Sequence, residues 1–475
     1  MSRGRAVADR LRALAEGRSL RHVLTLVTGA TAAQALLFAA RPLLTRLYTP
    51  EAFGLLGVFV APAYLLAVLA TLRYEDAIAV PREPRDGAGV FALAVVAAVA
   101  TGLLLLLGLP FRSAAATALG APELAPLLVW VPLVTAALGV AGAARTWLAR
   151  VERYRAMSAV VLAQAVVVVA VQVGLADAGA WGLVVGTALG AAVLGGASLA
   201  LAADGVALAR RVDLGALARR FRRFPLFGLP ASGLGQLAVR LPPLVLVGAF
   251  GPAVVGYFTV AVASVAVPVG LVTEAVGQVF YVRAAEAERA GRLGELVERV
   301  FSRLAAFAAF PVLAVALLGP DLFAVVFSEP WRTAGEFARL LAPWLLLAAV
   351  APPLTRVFDV TERQRSELAV GAWTAALVGA GLAVGVWTGE VGPALVALAV
   401  GGALARVVQL GWIAHVGRAS GARMALDLGR SVVAASVCLV PAALALAWGG
   451  VWAGLGAAVV GGVAYAVWAL PADES

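Results

Sequence analysis

The main pattern in this chain is an alternation between long apolar runs and short polar segments. Each run has about 20 residues, the length of a helix that crosses the hydrocarbon core of a bilayer. The pattern predicts an all-α integral membrane protein with about fourteen transmembrane helices. The predicted spans lie near 22–44, 52–72, 88–109, 124–144, 157–176, 180–202, 226–250, 253–280, 300–319, 336–356, 367–388, 391–413, 431–448 and 450–470.

Composition supports a membrane protein and excludes several kinds of site. Apolar residues make up 62% of the 475 residues and charged residues only 13%, so the chain is far more apolar and less charged than a soluble protein. With one cysteine and two histidines, no disulfide framework and no Cys/His metal site can be assembled. We therefore expect no metal and no cofactor, and leave coupling to an ion or a proton open.

The arginines predict the topology. All 37 basic residues are arginines, and 30 of them lie on one side of the predicted membrane, which is the pattern of cytoplasmic loops. Both termini are then expected in the cytoplasm. The formal charge of +10 does not indicate nucleic-acid binding, because the arginines lie in short loops and form no basic domain.

An internal repeat appears when the chain is shifted by 202 residues against itself. Six predicted helices separate the copies, so both halves enter the membrane from the same side as parallel repeats. In the first copy, Thr49 is a predicted N-cap for a helix that starts at Pro50. The matched pairs are Gln34 and Gln236, Pro50 and Pro252, Gly54 and Gly256, and Thr71 and Thr273.

The repeat predicts two six-helix bundles followed by two accessory helices. Residues 1–205 would form the N-terminal lobe, 206–416 the C-terminal lobe, and 417–475 the last two helices. Two parallel bundles of this kind suit alternating access, with a substrate site at their interface.

Four stretches resemble one known family. They are RPLLTRLYTPEAFG (41–54), LRYEDAIAVP (72–81), AVGQVFYVRAAEA (275–287) and LFAVVFSEPWRTAGEFARLLAPW (322–344). They are similar to Wzx-type polysaccharide flippases, members of the superfamily of multidrug, oligosaccharidyl-lipid and polysaccharide exporters. The resemblance implies a protein of the inner membrane that moves undecaprenyl-pyrophosphate-linked sugar units to the outer leaflet.

Three other functions remain to be weighed. A drug or metabolite exporter would use the same scaffold, and a non-transporting scaffold would bind glycan-assembly proteins. An enzyme would need an external catalytic domain, but the longest predicted outer loop has about 17 residues, near 320–336. We therefore expect a transporter with no catalytic residues, in contact with membrane lipids and possible glycan-assembly partners.

Arg240 is the foremost candidate for substrate binding, because it lies near the middle of the predicted span 226–250. A guanidinium offers two parallel donors to a phosphate and stays charged when it is desolvated. Pro242 and Pro243 should distort this helix beside the cation. The alternative is a structural ion pair.

The remaining candidates fall into three groups. Arg41 and Arg46 lie at the predicted outer end of the first span, where they would form an external gate, receive the headgroup or form an ion pair with Glu51. Gln34 and Gln236 would bond sugar hydroxyls or neighbouring helices. The candidates for gating or coupling are Glu274, Arg406, Arg73, Glu75 and Asp76. The alternatives are a solvated side chain for Glu274, a side chain that snorkels to the membrane surface for Arg406, and charged helix capping for the other three.

Overall fold

The structure is a computed structural model that describes residues 29–210, 212–361 and 363–469. Helices dominate this part of the chain, and no strand occurs within it. The helices are α1 (29–47), α2 (Pro50–Ala70), α3 (Pro84–Leu106), α4 (Arg112–Ala118), α5 (Val131–Arg150), α6 (Tyr154–Gly174), α7 (Ala180–Leu201), α8 (Ala203–Ala209), α9 (Leu214–Arg220), α10 (Leu229–Phe250), α11 (Pro252–Arg289), α12 (Leu293–Phe327), α13 (Arg332–Leu354), α14 (Arg356–Val360), α15 (Gln364–Thr388), α16 (Val391–Gly417) and α17 (Gly421–Ala469).

Eleven helices among the described residues are long and apolar enough to cross a membrane. The predicted all-α membrane fold is thereby confirmed. The thirteenth and fourteenth predicted spans share α17, which kinks at Gly450 (φ 81°). The first predicted span begins before the described residues, and the seventh corresponds to α10, whose apolar part is Arg240–Phe250. Both chain termini also lie outside the described residues.

The predicted start of α2 is confirmed. The helix begins at Pro50, and the hydroxyl oxygen of Thr49 accepts a hydrogen bond of 3.3 Å from the amide of Ala52. This side chain satisfies an amide that the first helical turn would leave without a partner. The repeat-equivalent helix α11 begins at Pro252 after Gly251, whose φ of 84° suits a residue without a Cβ.

Two helices extend well beyond their predicted spans. α11 has 38 residues and α12 has 35, against about 20 for the hydrocarbon core. The predicted outer loop near 320–336 is wrong, because α12 continues to Phe327 and α13 starts at Arg332. Gly319 and Gly335 let the two helices pack closely at this end, since a Cβ on either would overlap the backbone at the other.

The chain forms two compact units. The first unit contains 29–40, Phe59–Thr117 and Pro122–Gln236, and its core packs Phe91 against Trp147 with ring centroids 5.7 Å apart. Other buried apolar side chains pack around this pair, among them Ile78 and Leu148.

The second unit contains Arg41–Val58, Ala118–Ala121 and 237–469. α17 packs on α12 through Tyr465, whose ring stacks on Phe310 and whose hydroxyl donates a hydrogen bond of 2.7 Å to the carbonyl of Ala306. The predicted lobe boundaries at 205 and 416 remain predictions.

Candidate functional site

The predicted site residues divide equally between the two units. Five belong to the first unit and five to the second. Those of the first unit are Gln34, Arg73, Glu75, Asp76 and Gln236, and those of the second are Arg41, Arg46, Arg240, Glu274 and Arg406.

Arg240 lies near the middle of α10 and is half-buried. Pro242 and Pro243 lie inside α10, which continues as a helix through both of them, and the predicted distortion stays a prediction. A proline has no amide hydrogen, so the carbonyls of residues 238 and 239 lack the donor four residues ahead that a regular helix provides. Arg240 therefore stands next to helix carbonyls with spare acceptor capacity.

Arg41 and Arg46 do not form the alternative ion pair with Glu51, since no ion pair joins these three described residues. Arg41 is half-buried, and its Nη1 is enclosed without a hydrogen-bond partner among the described residues. Arg46 is exposed, and its Nη2 lies 3.5 Å from the carbonyl oxygen of Val326. Arg41 thus retains donor capacity for a ligand.

Trp331 fixes the end of α1 in the second unit, a role that sequence reasoning missed. Its fully buried indole donates a hydrogen bond of 2.7 Å to the carbonyl of Thr45. Its ring meets Phe53 and Tyr257 edge to face, at centroid distances of 5.1 and 6.1 Å. Aromatic contacts of this geometry add to the energy of burial. The only available signal was a tryptophan in a short polar segment after Pro330.

The matched residues of the internal repeat contact each other in the second unit. A Cβ on Gly54 would overlap the carbonyl oxygen of Pro252, and a Cβ on Gly256 would overlap that of Pro50. The first turns of α2 and α11 therefore pack backbone to backbone. The reciprocity is what a two-fold relation between the repeat copies would produce.

Arg73, Glu75 and Asp76 form a charged cluster in the first unit, and their role in gating stays a prediction. Arg73 Nη1 lies 3.1 Å from Glu75 Oε1, and Arg73 Nη2 lies 2.6 Å from Asp76 Oδ2. Thr71 Oγ1 donates a hydrogen bond to the other oxygen of Glu75. Burial raises the pKa of Glu75 above its usual range, although the Thr71 hydroxyl and the Arg73 charge act in the opposite direction.

The backbone of this cluster is strained. Leu72 and Arg73 have φ values of 52° and 60°, a left-handed conformation that residues with a Cβ seldom adopt. Such strain persists only where surrounding contacts hold it. The turn that follows α2 is therefore a defined structure and more than a charged cap at the end of a helix.

Arg150 holds the segment that follows the cluster, a role that sequence reasoning missed. Its guanidinium donates hydrogen bonds of 2.7 and 2.6 Å to the carbonyls of Ile78 and Pro81, across the segment that follows the cluster. No sequence pattern distinguishes Arg150 from the exposed Arg145 on the same helix. Only the fold identifies which arginine holds the segment.

The remaining candidates are Glu274, Arg406, Gln34 and Gln236. Glu274 is exposed and accepts a hydrogen bond of 3.0 Å from Gln278, one helical turn away. Arg406 is half-buried and donates a hydrogen bond of 2.5 Å to Gln409. Gln34 is exposed and Gln236 is half-buried. Glu274 and Arg406 are thus engaged within their own helices.

Comparisons with known proteins agree with this architecture. The model of a family described as "Polysaccharide biosynthesis protein" matches residues 43–336. No curated protein matches the sequence significantly.

Solved structures share the fold at low sequence identity. The lipid II flippase MurJ in its inward closed conformation has a TM-score of 0.74 at 11% identity, covering 94% of this chain and 98% of that one. An inward-facing MATE-family multidrug transporter of the MOP superfamily has a TM-score of 0.58 at 17% identity, covering 86% and 95%. The Vibrio cholerae MATE transporter VcmN has a TM-score of 0.53 at 14% identity, covering 85% and 97%.

The family model spans more than half of the chain, and the fold is that of multi-pass membrane transporters. The chain therefore belongs to the polysaccharide biosynthesis protein family.

Proposed function

We propose that this protein is a flippase for a polyprenyl-pyrophosphate-linked oligosaccharide, of the undecaprenyl type. It moves this lipid from the cytoplasmic to the outer leaflet of the inner membrane by alternating access, for surface polysaccharide biosynthesis. The observation that carries the proposal is the family match over residues 43–336 in a chain with the fold of a lipid II flippase. Family and fold together favour a lipid-linked sugar as the cargo.

The charges of the predicted spans support an anionic substrate. Arg240 occupies the middle of α10, Arg41 has an enclosed and unsatisfied nitrogen, and Arg406 is half-buried. Desolvated cations are expensive in a bilayer unless they serve a ligand or a partner. A pyrophosphate would satisfy guanidinium donors at a depth where water is scarce.

The alternative is a drug or metabolite exporter on the same scaffold. Export of a cation requires carboxylates within the membrane, and Glu274 is the one acidic residue of the predicted spans that does not lie at the first position of its span. Glu274 is exposed and bonded to Gln278. This arrangement favours the anionic lipid over an organic cation.

We also propose that the protein is a transporter without catalytic residues or a cofactor, and coupling to an ion or a proton stays open. The connection between α12 and α13 consists of Ser328 and the 3-10 turn Glu329–Trp331. This connection leaves no room for a catalytic domain. Glycan-assembly proteins are the expected partners, and both termini are expected in the cytoplasm.

Reconstitution into vesicles tests the proposed function. Proteoliposomes would carry a fluorescent undecaprenyl-pyrophosphate oligosaccharide, and an enzyme added outside would detect the molecules that reach the outer leaflet. We expect the protein to accelerate exchange well above protein-free vesicles, while a labelled phospholipid does not exchange faster. Equal exchange with and without protein would refute the flippase. Loss of surface polysaccharide in a deletion strain, without sensitivity to toxic cations, would separate it from an exporter.

A further inference from the structure

A groove between α11 and α12 has the chemical features of a lipid-pyrophosphate site. Its cavity of about 540 Å³ lies within the size range of ligand pockets. The apolar walls face each other at helical spacing. They include Val276, Val279 and Phe280 of α11 and Val300, Leu304 and Phe307 of α12.

Three arginines line one end of this groove. Arg283 lies six residues before the end of α11, and Arg299 lies six residues after the start of α12, so both are about 9 Å from the connecting turn. Arg303 follows one turn deeper. All three are exposed, and none forms an ion pair or hydrogen bond with another described residue. Three free guanidinium groups therefore converge on one cavity.

The depth of the arginines matches lipid headgroups. Arg283 lies 31 residues after Pro252, or about 46 Å along a straight helix, close to the full thickness of a bilayer with its polar regions. The apolar walls of the groove extend from the depth of these arginines toward the hydrocarbon core of the bilayer. The groove is open, since Val279 and Phe307 are 53% and 41% exposed. A chain bound in it could continue into the bilayer.

A second, polar cavity of about 260 Å³ adjoins the arginines. It shares Arg283 and Arg299 with the groove and adds Arg292, Glu286 and Glu295. Together the two cavities carry four arginines and two glutamates, a formal charge of +2. This charge balances the two negative charges of a pyrophosphate diester, whereas a phospholipid phosphodiester carries one.

We propose that this groove is a loading site for the lipid-linked substrate at the predicted cytoplasmic face. The first isoprene units lie between α11 and α12, the pyrophosphate contacts Arg283, Arg299 and Arg303, and the first sugar occupies the polar cavity. Mixed Arg and Glu side chains suit sugar hydroxyls, which both donate and accept hydrogen bonds. The identity of the lipid rests on the proposed function, but the groove itself is distinct from Arg240 on α10.

Binding is tested on the full-length protein in detergent by native mass spectrometry, with undecaprenyl pyrophosphate as the probe. We expect Arg299→Gln and Arg303→Gln each to weaken binding roughly fivefold to tenfold, because a charge-assisted contact to phosphate is lost. Val300→Trp, which fills the groove, should also weaken binding. Arg289→Gln is the matched control, since Arg289 is exposed on α11 and bonds the carbonyl of Ala285.

Competition distinguishes the substrate from ordinary phospholipid. A tenfold excess of phosphatidylglycerol should leave the pyrophosphate bound. Equal competition would show a phospholipid site and overturn the assignment. Unchanged affinity in both arginine variants would also overturn it. These arginines have no protein partners to lose, so folding should be unaffected.

Transport assays separate this inference from the proposed function. Groove variants should raise the substrate concentration for half-maximal transport and leave the maximal rate near that of the unmodified protein. If the unmodified protein transports and the groove variants show the same concentration dependence, the loading site is refuted and the flippase stands. If the probe binds in the groove but no transport occurs, the flippase fails and the binding site stands.

Discussion

Gly54 packs directly against the backbone carbonyl of Pro252, and its repeat equivalent Gly256 packs against that of Pro50. Two helix starts that are 202 residues apart in sequence thereby meet without side chains between them. Small residues allow two helices to approach this closely. The approach adds van der Waals contacts, which matter in a bilayer because the hydrophobic effect does not drive helices together there.

Gly54→Ala should destabilise the protein by about 1–3 kcal/mol, because the added methyl group overlaps backbone that can move only with its helix. Gly142→Ala on α5 is the control, since no other atom lies within 4 Å of its Cβ position. Melting curves in detergent measure both variants. An unchanged melting temperature for Gly54→Ala would contradict the close packing.

Trp331→Phe tests the contact between the indole and the end of α1. The variant keeps an aromatic ring beside Phe53 but leaves the Thr45 carbonyl without its donor, at a cost of about 1–3 kcal/mol. Trp387→Phe provides the comparison, because this side chain is 88% exposed. Equal thermal stability of the two variants would show that the hydrogen bond is dispensable.

Arg240→Ala should reduce the maximal transport rate at least tenfold while leaving expression near normal, if the guanidinium binds pyrophosphate. Arg240→Lys keeps the charge but not the paired donors, so partial activity is expected. Arg112→Ala, an exposed residue at the predicted outer side, serves as the control. Full activity of Arg240→Ala would remove this residue from the site.

Glu75→Gln should alter the pH dependence of stability. Burial raises the pKa of Glu75, so its ionised form is less favourable in the folded than in the unfolded chain. This penalty is fully present above the raised pKa and disappears as pH falls below the unfolded value. Compared with Glu75→Gln, the unmodified protein should therefore gain stability as the medium is acidified from pH 7.

The measurement is the difference in melting temperature between the two proteins across that pH range. Glu83→Gln changes an exposed carboxyl in the same segment and is the control. A constant difference between the Glu75 variant and the unmodified protein would contradict the shifted pKa. If the cluster also couples protons to transport, Glu75→Gln should flatten the pH profile of transport.

Arg150→Ala should loosen the segment after the Arg73 cluster. Two charge-assisted hydrogen bonds to the carbonyls of Ile78 and Pro81 are lost, at a combined cost of about 3 kcal/mol. Hydrogen exchange of peptides covering 74–82 should accelerate. Arg145→Ala removes an exposed arginine from the same helix and should leave exchange unchanged. Equal exchange in both variants would mean that other contacts hold the segment.

The sequence by itself determined the class of fold and most of the helices. In a bilayer the backbone must satisfy its own hydrogen bonds, so an apolar run of about 20 residues leaves little choice but a helix. Local chemistry also predicted the start of α2 at Thr49 and Pro50, and the short spacing of Arg73, Glu75 and Asp76 brought those charges together.

Only the tertiary structure decided which residues meet across long separations. Three contacts illustrate this: the hydrogen bond from Trp331 to Thr45, the hydrogen bond from Arg150 to Ile78, and the packing of Gly54 on Pro252. In each case the local sequence does not indicate which residue the partner is. Helix length was also decided there, because polar ends continue α11 and α12 past their apolar spans. That extension places arginines of both helices around one groove. The pattern along a single helix cannot predict this arrangement, because it depends on how the two helices pack.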